Sequence, residues 1–196
     1  MKSSELRTEL MRKSFHMLSL CYLGVYKLIG YPEIMSWIVP WSIIVFVIET
    51  ARLMMPKMNA ALTGFFGGIA RVEEYNKYSG IIHTTLGVLV VFWLFGPAPA
   101  MVSAAIWCVA AGDAAAALIG KSFGKTKILG SKKSLEGSFA CFITCALICF
   151  AHGFDAKASL GAALVATGIE LAPTTRWFND NMWMPIAAAF ALAFLS

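Results

Sequence analysis

Asp113 stands inside an apolar run, and five lysines follow it among glycines: Lys121, Lys125, Lys127, Lys132 and Lys133 are interleaved with Gly120, Gly124, Gly130 and Gly137. A carboxylate within a membrane helix is costly to bury and marks a functional position by default. Lysines supply point charges for a polyphosphate, and glycines let backbone N–H groups come close to it. Ser134 and Ser138 lie where the next helix begins, where the helix field favours an anion. Gly112, Ala116, Ala117 and Gly120 leave room beside Asp113 for a metal ion and phosphate oxygens, and Mg²⁺ prefers one or two carboxylates with phosphate and water. Plainer roles fit the same residues. A basic loop sets membrane topology, and an acid among small residues can make a polar contact between packed helices.

The segment Gly120-Lys-Ser-Phe-Gly-Lys-Thr126 is excluded as a P-loop. It has three residues between its glycines where that loop has four, and it follows an apolar helix instead of a strand. Three further carboxylates can converge with Asp113 on one rim: Glu136 opens the fifth apolar stretch, Glu170 ends the sixth, and Asp180 sits in an Asn179-Asp180-Asn181 turn. Near the start of the chain, Glu9, Arg12, Lys13 and His16 lie within two helical turns, with Glu9–Lys13 and Arg12–His16 at i,i+4. Such a cluster is either part of the site or a basic anchor. His83 reads as a packing residue and His152 has no assigned role. Neither a His/Cys zinc spacing nor a G-x-S-x-G occurs.

The elements that carry these residues are apolar. Among 196 residues, 59% are hydrophobic and 14% charged, with a mean hydropathy of +0.71, too little polar surface for a soluble core of that size. The expected fold is all-α, a single polytopic membrane helix bundle over residues 1–196. Seven apolar stretches can be marked: 15–31, 34–55, 81–95, 98–120, 135–151, 158–172 and 183–195. Residues 60–70 are too short and Gly-rich to span and suit a re-entrant or interfacial segment. The first stretch reads as a retained helix, since Tyr22 and Lys27 interrupt it and no small-residue cleavage site follows. Cys21, Cys108, Cys141, Cys145 and Cys149 read as buried, reduced packing residues.

Basic residues fix the expected orientation. With the N-terminus cytoplasmic, the inner segments hold Lys2, Arg7, Arg12, Lys13, Arg52, Lys57, Arg71, Lys77, the five loop lysines and Arg176, which is 14 of the 16 Lys and Arg. Only Lys27 and Lys157 remain outside. Seven spans with the C-terminus outside satisfy the positive-inside rule, and the net charge of +5 is then no nucleic-acid footprint. All the candidate chemistry falls on the cytoplasmic rim of what reads as an inner or plasma membrane.

Four motifs carry a family resemblance: E-L-M-R-K-S-F-H (9–16), G-D-A-A-A-A-L-I-G-K-S-F-G-K (112–125), K-S-L-E-G-S (133–138), and Glu170 followed by N-D-N ending at Asn181, then Pro185. In this order they resemble the CTP-dependent lipid-alcohol kinases, which include dolichol kinase, phytol kinase and the CTP-using diacylglycerol kinase and are related to phosphatidate cytidylyltransferases. The resemblance implies a polytopic enzyme that moves the γ-phosphoryl group of CTP to a lipid hydroxyl with Mg²⁺. By residue it implies Asp113, with Glu170 and Glu136, as catalytic carboxylates, and Asp113, Asp180 and Asn181 as the metal side. Lys121, Gly124, Lys125, Lys132, Lys133, Ser134, Gly137 and Ser138 would bind nucleotide, joined by Arg12, Lys13 and His16. The chain is compact beside the large dolichol kinases, so the lipid does not carry over. Two rivals are a cytidylyltransferase acting on a lipid phosphate with the same lysines, and a small transporter coupled through Asp113 and Glu170; the latter leaves the lysine and glycine concentration unexplained.

Overall fold

The computed structural model describes residues 3–65, 75–128, 133–175 and 178–196. Apart from one isolated bridge between Lys127 and Ser134, the regular structure among them is helical. The helices are α1 (Ser3–Met17), α2 (Leu20–Ile29), α3 (Met35–Met54), α4 (Pro56–Phe65), α5 (Gly80–Phe95), α6 (Pro99–Trp107), α7 (Asp113–Ser122), α8 (Leu135–Ala151), α9 (Ala156–Leu171) and α10 (Asp180–Leu195). A π-helical turn, Cys108–Gly112, joins α6 to α7 without a break.

Each of the seven apolar stretches falls on a helix, but the first is shorter than the sequence suggests. Leu18 and Ser19 donate to the carbonyls three residues back, at 3.0 Å each, and Cys21 and Tyr22 continue the pattern. These tightened 3₁₀-type bonds interrupt the α-helical pattern between α1 and α2. Among the described residues, two helices are long and apolar enough to cross a bilayer: α3 with 20 residues, and the continuous helix 99–122 with 24. At 1.5 Å per residue they measure about 30 and 36 Å. The apolar helices α5, α8 and α10 are shorter, at 16, 17 and 16 residues. Of the segment 60–70, residues up to Phe65 belong to α4, and the rest lies outside the described residues.

Large side chains face outward and small ones inward. Trp37, Trp93, Phe139, Leu147, Leu164 and Phe194 are exposed, whereas one core cluster is built mainly from Ala104, Cys108, Cys141, Cys145, Cys149, Ala158, Ala162, Ala166 and Ala188. Small residues let backbones approach closely, which is how helices associate where lipid supplies no hydrophobic drive. The second cluster, with Tyr26, Val88, Phe92, Val102 and Ile106, joins α2, α5 and α6. The cysteine expectation holds for four of five; Cys21 is exposed on α2, because α2 turns its Leu23 and Tyr26 face to the core.

The helix starts that matter gather at one end of the bundle. Ser134 caps α8 by accepting from Gly137 N at 3.2 Å, Asn179 caps α10 by accepting from Asn181 N at 3.0 Å, and Ser79 caps α5 through Ile81 N at 3.3 Å. Beside them, buried Arg52 donates to both oxygens of Glu49, at 3.2 and 2.9 Å, to Asn59 at 2.9 Å and to the Lys77 carbonyl at 2.7 Å. Glu49 also accepts from Ser79 N at 2.8 Å. One ion pair thereby ties α3, α4 and the start of α5.

Candidate active site

The π turn decides where Asp113 points. Widening the helix by a residue frees a carbonyl from the usual ladder, and such turns recur at functional sites. His16 Nε2 lies 3.1 Å from the Val109 carbonyl within this turn; since a carbonyl only accepts, Nε2 carries the hydrogen. The same nitrogen stands 3.6 Å from Asp113 Oδ2. Lys13 makes a direct ion pair with that oxygen, and both side chains are buried. Gly112 precedes Asp113 because a Cβ there would meet Cys145 Sγ at 2.5 Å and Met184 Cε at 3.0 Å. The packing of α8 and α10 against the π turn thus fixes the backbone from which Asp113 projects.

One turn earlier on α1, Glu9 is 1% exposed and pairs with both Arg12 and Lys121. The i,i+4 pairs read from the sequence, Glu9–Lys13 and Arg12–His16, are therefore replaced. Glu9 takes Arg12 at i,i+3, leaving Lys13 and His16 to cross to Asp113. The face of α1 was legible, but its partners lie about a hundred residues away. Glu9 itself escaped assignment as a site residue, although its spacing to Lys13 and His16 put it on their face.

A second cluster faces this one. Lys133 Nζ lies 3.1 Å from Glu170 Oε1 and 3.8 Å from Asp180 Oδ2, so the end of α9, the start of α10 and the approach to α8 share one ammonium group. Glu170 is within electrostatic reach of Asp113 as well as Asp180. Its other oxygen, Oε2, is buried and has no hydrogen-bond partner among the described residues; Thr167 Oγ1, one turn earlier, is in the same condition. A buried acceptor without a donor is rare in a folded chain. Across the two clusters, Arg12, Lys13, Lys121 and Lys133 are matched with Glu9, Asp113, Glu170 and Asp180.

Around Gly124 and Gly137 the glycines are packed rather than open. A Cβ on Gly124 would meet the Gly120 carbonyl at 2.1 Å and Ser134 Oγ at 2.4 Å, and one on Gly137 would meet the Ala116 carbonyl at 2.6 Å. These glycines seat α8 against α7. Ser138 Oγ donates to the Ser134 carbonyl at 3.1 Å. Glu136 accepts from Thr126 N at 3.1 Å and so holds the loop that returns to α8. Lys125 and Lys127 are exposed. Asn181 lies in the first turn of α10 beside Asp180. Lys132 and Gly130 lie outside the described residues.

Comparison with curated proteins gives three relatives. CTP-dependent diacylglycerol kinase 1 of Saccharomyces cerevisiae is 29% identical over 146 residues, covering 72% of this chain and 49% of that protein. Its namesake in Schizosaccharomyces pombe is 27% identical over 107 residues, covering 53% and 47%. Phytol kinase 1, chloroplastic, of Arabidopsis thaliana is 34% identical over 145 residues, covering 64% and 45%. This chain is related to the CTP-dependent lipid kinases. It spans about half the length of the curated relatives it matches. No family model matches the chain, and no solved structure matches it.

For a relative of these kinases the electrostatics are apt. Phosphoryl transfer asks for positioning and for cations around the transferred group, and cations from α1, α7 and the edge of α8 already converge. No group of three metal-ligating side chains occurs among the described residues. A Mg²⁺ ion that arrives on phosphates would need only one or two carboxylates, since the ion keeps water and phosphate for its other positions. Asp180 and Asn181, with Asp113, are the residues that would hold it, and its chemistry would be to neutralise charge on the phosphates.

Proposed function

We propose that this chain is a CTP-dependent kinase that transfers the γ-phosphoryl group to the hydroxyl of a membrane lipid alcohol, at the cytoplasmic rim of a seven-helix bundle. The observation that carries the reading is the pair of buried ion clusters at one end of the bundle, Lys13–Asp113 and Lys133–Glu170–Asp180, placed on motifs that resemble those of lipid kinases. The cytoplasmic orientation is supported by the concentration of Lys and Arg on that side.

In this reading the triphosphate draws Lys133 and Lys121 from their carboxylates, with Lys125 as an exposed third cation. Lys13, Arg12 and His16 stay with α1 and hold Asp113 and Glu9 in place. The lipid hydroxyl oxygen attacks the γ-phosphorus, the bond to the β,γ-bridging oxygen breaks, and CDP leaves with that electron pair. The hydroxyl proton passes to a carboxylate. Glu170 Oε2 supports that role, being an acceptor that lacks a donor, while Asp113 balances the cations around the phosphates. Glu136 serves by fixing the loop.

The deciding experiment supplies purified protein with γ-labelled CTP, Mg²⁺ and a panel of diacylglycerol, polyprenols, phytol and farnesol. Label in the lipid is expected. Label in pyrophosphate would make the protein a cytidylyltransferase, and label in neither would overturn the reading.

A further inference from the structure

Glu9 is more deeply buried than Asp113 or Glu170, at 1% exposed, and the transfer step gives it no part. It takes a different cation on each oxygen: Arg12, three residues further along α1, on Oε1, and Lys121, in the last turn of α7, on Oε2. The two cations differ in freedom. Arg12 is 27% exposed and reaches Glu9 within one helix, whereas the Lys121 side chain is 45% exposed and crosses from another. A buried carboxylate that loses its cation is strongly destabilising, but Glu9 can release Lys121 and still keep Arg12. Lys133 is shared in the opposite sense, one ammonium group between Glu170 and Asp180. On the α1 side of the site, Lys121 is therefore a cation that can leave Glu9 without stranding it.

We propose that Glu9 is a positioning residue that acts through Lys121: it holds that ammonium group while the site is empty, yields it to the nucleotide phosphates, and takes it back after transfer, so that it sets the release of CDP. Binding must break the Glu9–Lys121 pair, which lowers the apparent affinity according to the share of time the lysine is held. After transfer the diphosphate carries less charge than the triphosphate. It competes less well for Lys121 against a carboxylate fixed in a buried setting, where salt screens little. A glutamine at position 9 has no charge with which to compete and leaves the lysine to the phosphates. Arg12 and Lys121 are both partly exposed, so each reaches water when the carboxylate is neutralised. This inference rests on the lipid-kinase reading and names the residue that governs product release at the same site.

The test uses the full chain in nanodiscs and measures the Kd of CDP without lipid alcohol, then KM for CTP and kcat with it. Glu9→Gln should tighten CDP binding about fivefold, as expected when a lysine held most of the time becomes free. KM for CTP should fall alongside while kcat does not rise, and inhibition by CDP should strengthen. Glu9→Asp, which keeps the charge but is one methylene shorter, should move the same quantities in the same direction by less. In a Lys121→Met background, Glu9→Gln should leave CDP affinity unchanged. A purely structural role for Glu9 predicts the reverse, weaker nucleotide binding with a lower unfolding midpoint, whether or not Lys121 is present. CDP affinity that is unchanged or weaker in both Glu9 variants would overturn the proposal, and so would equal tightening in the Lys121→Met background. If wild-type protein transfers phosphate and the Glu9 variants fail to tighten CDP, the kinase reading stands and the role of Glu9 falls. If the variants tighten CDP as expected while wild-type protein phosphorylates no alcohol, the role of Glu9 stands and the kinase reading falls.

Discussion

Removing Lys13 and Asp113 singly and together separates structure from chemistry at the heart of the site. The two side chains are 6% and 13% exposed and pair directly. Lys13→Met takes the ammonium group from a buried carboxylate, with His16 at 3.6 Å, and Asp113→Asn leaves a buried ammonium group. Breaking a buried pair from one side costs about 3–5 kcal/mol, whereas replacing both members is close to neutral. At about 2–4 °C per kcal/mol for a chain of this size, each single variant should lose about 10 °C in Tm, and the double variant should regain most of it. Thermal unfolding in one detergent, followed by CTP-dependent lipid phosphorylation at a temperature where all four proteins are folded, gives the two readouts. We expect stability to return in the double variant and activity to stay absent. Additive destabilisation would refute the buried pair, and activity that returns together with stability would make Asp113 a structural residue.

Lys133→Ala should abolish transfer, and because it takes the ammonium group from buried Glu170 it should also lower the unfolding midpoint; near-wild-type turnover in the labelled-CTP assay would remove Lys133 from the site. Gly137→Ala forces a Cβ to within 2.6 Å of the Ala116 carbonyl and should cost about 1–3 kcal/mol by overpacking α7 against α8, measured as a lower unfolding midpoint. Arg52→Met removes the guanidinium from buried Glu49 and from the Lys77 carbonyl, and should cost about 3–5 kcal/mol and speed proteolysis at Lys77–Ser79 without changing KM for CTP in the protein that survives. Chelation by EDTA should remove activity and added Mg²⁺ should restore it; activity that persists in EDTA would exclude the phosphate-borne ion.

The helical segments were legible in the sequence because apolar runs bounded by Gly, Pro and charge are local features. So was the gathering of Lys13, Asp113, Lys133, Glu170 and Asp180, since these residues lie within two turns of the ends of apolar runs. Pairing was less legible. Lys13 meets Asp113 across a separation of 100 residues, and no periodicity within α1 shows that Glu9 prefers Arg12 and Lys121. The π turn was invisible as well, because Cys-Val-Ala-Ala-Gly continues an ordinary helical pattern, and the tight seat of Gly112 against α8 and α10 is a contact between distant segments. Gly124 and Gly137 read from sequence as openings for an anion. The structure shows instead that a neighbouring helix occupies the space a side chain would need.

The arrangement of the five thiols makes the protein its own reporter. Cys108, Cys141, Cys145 and Cys149 are 0% exposed, and Cys21 is exposed just beyond the tight turn that joins α1 to α2. A membrane-permeant maleimide dye would mark one position in the native sequence, without mutagenesis. That position stands at the start of α2, so the dye would sample the junction next to the helix that carries Glu9, Lys13 and His16.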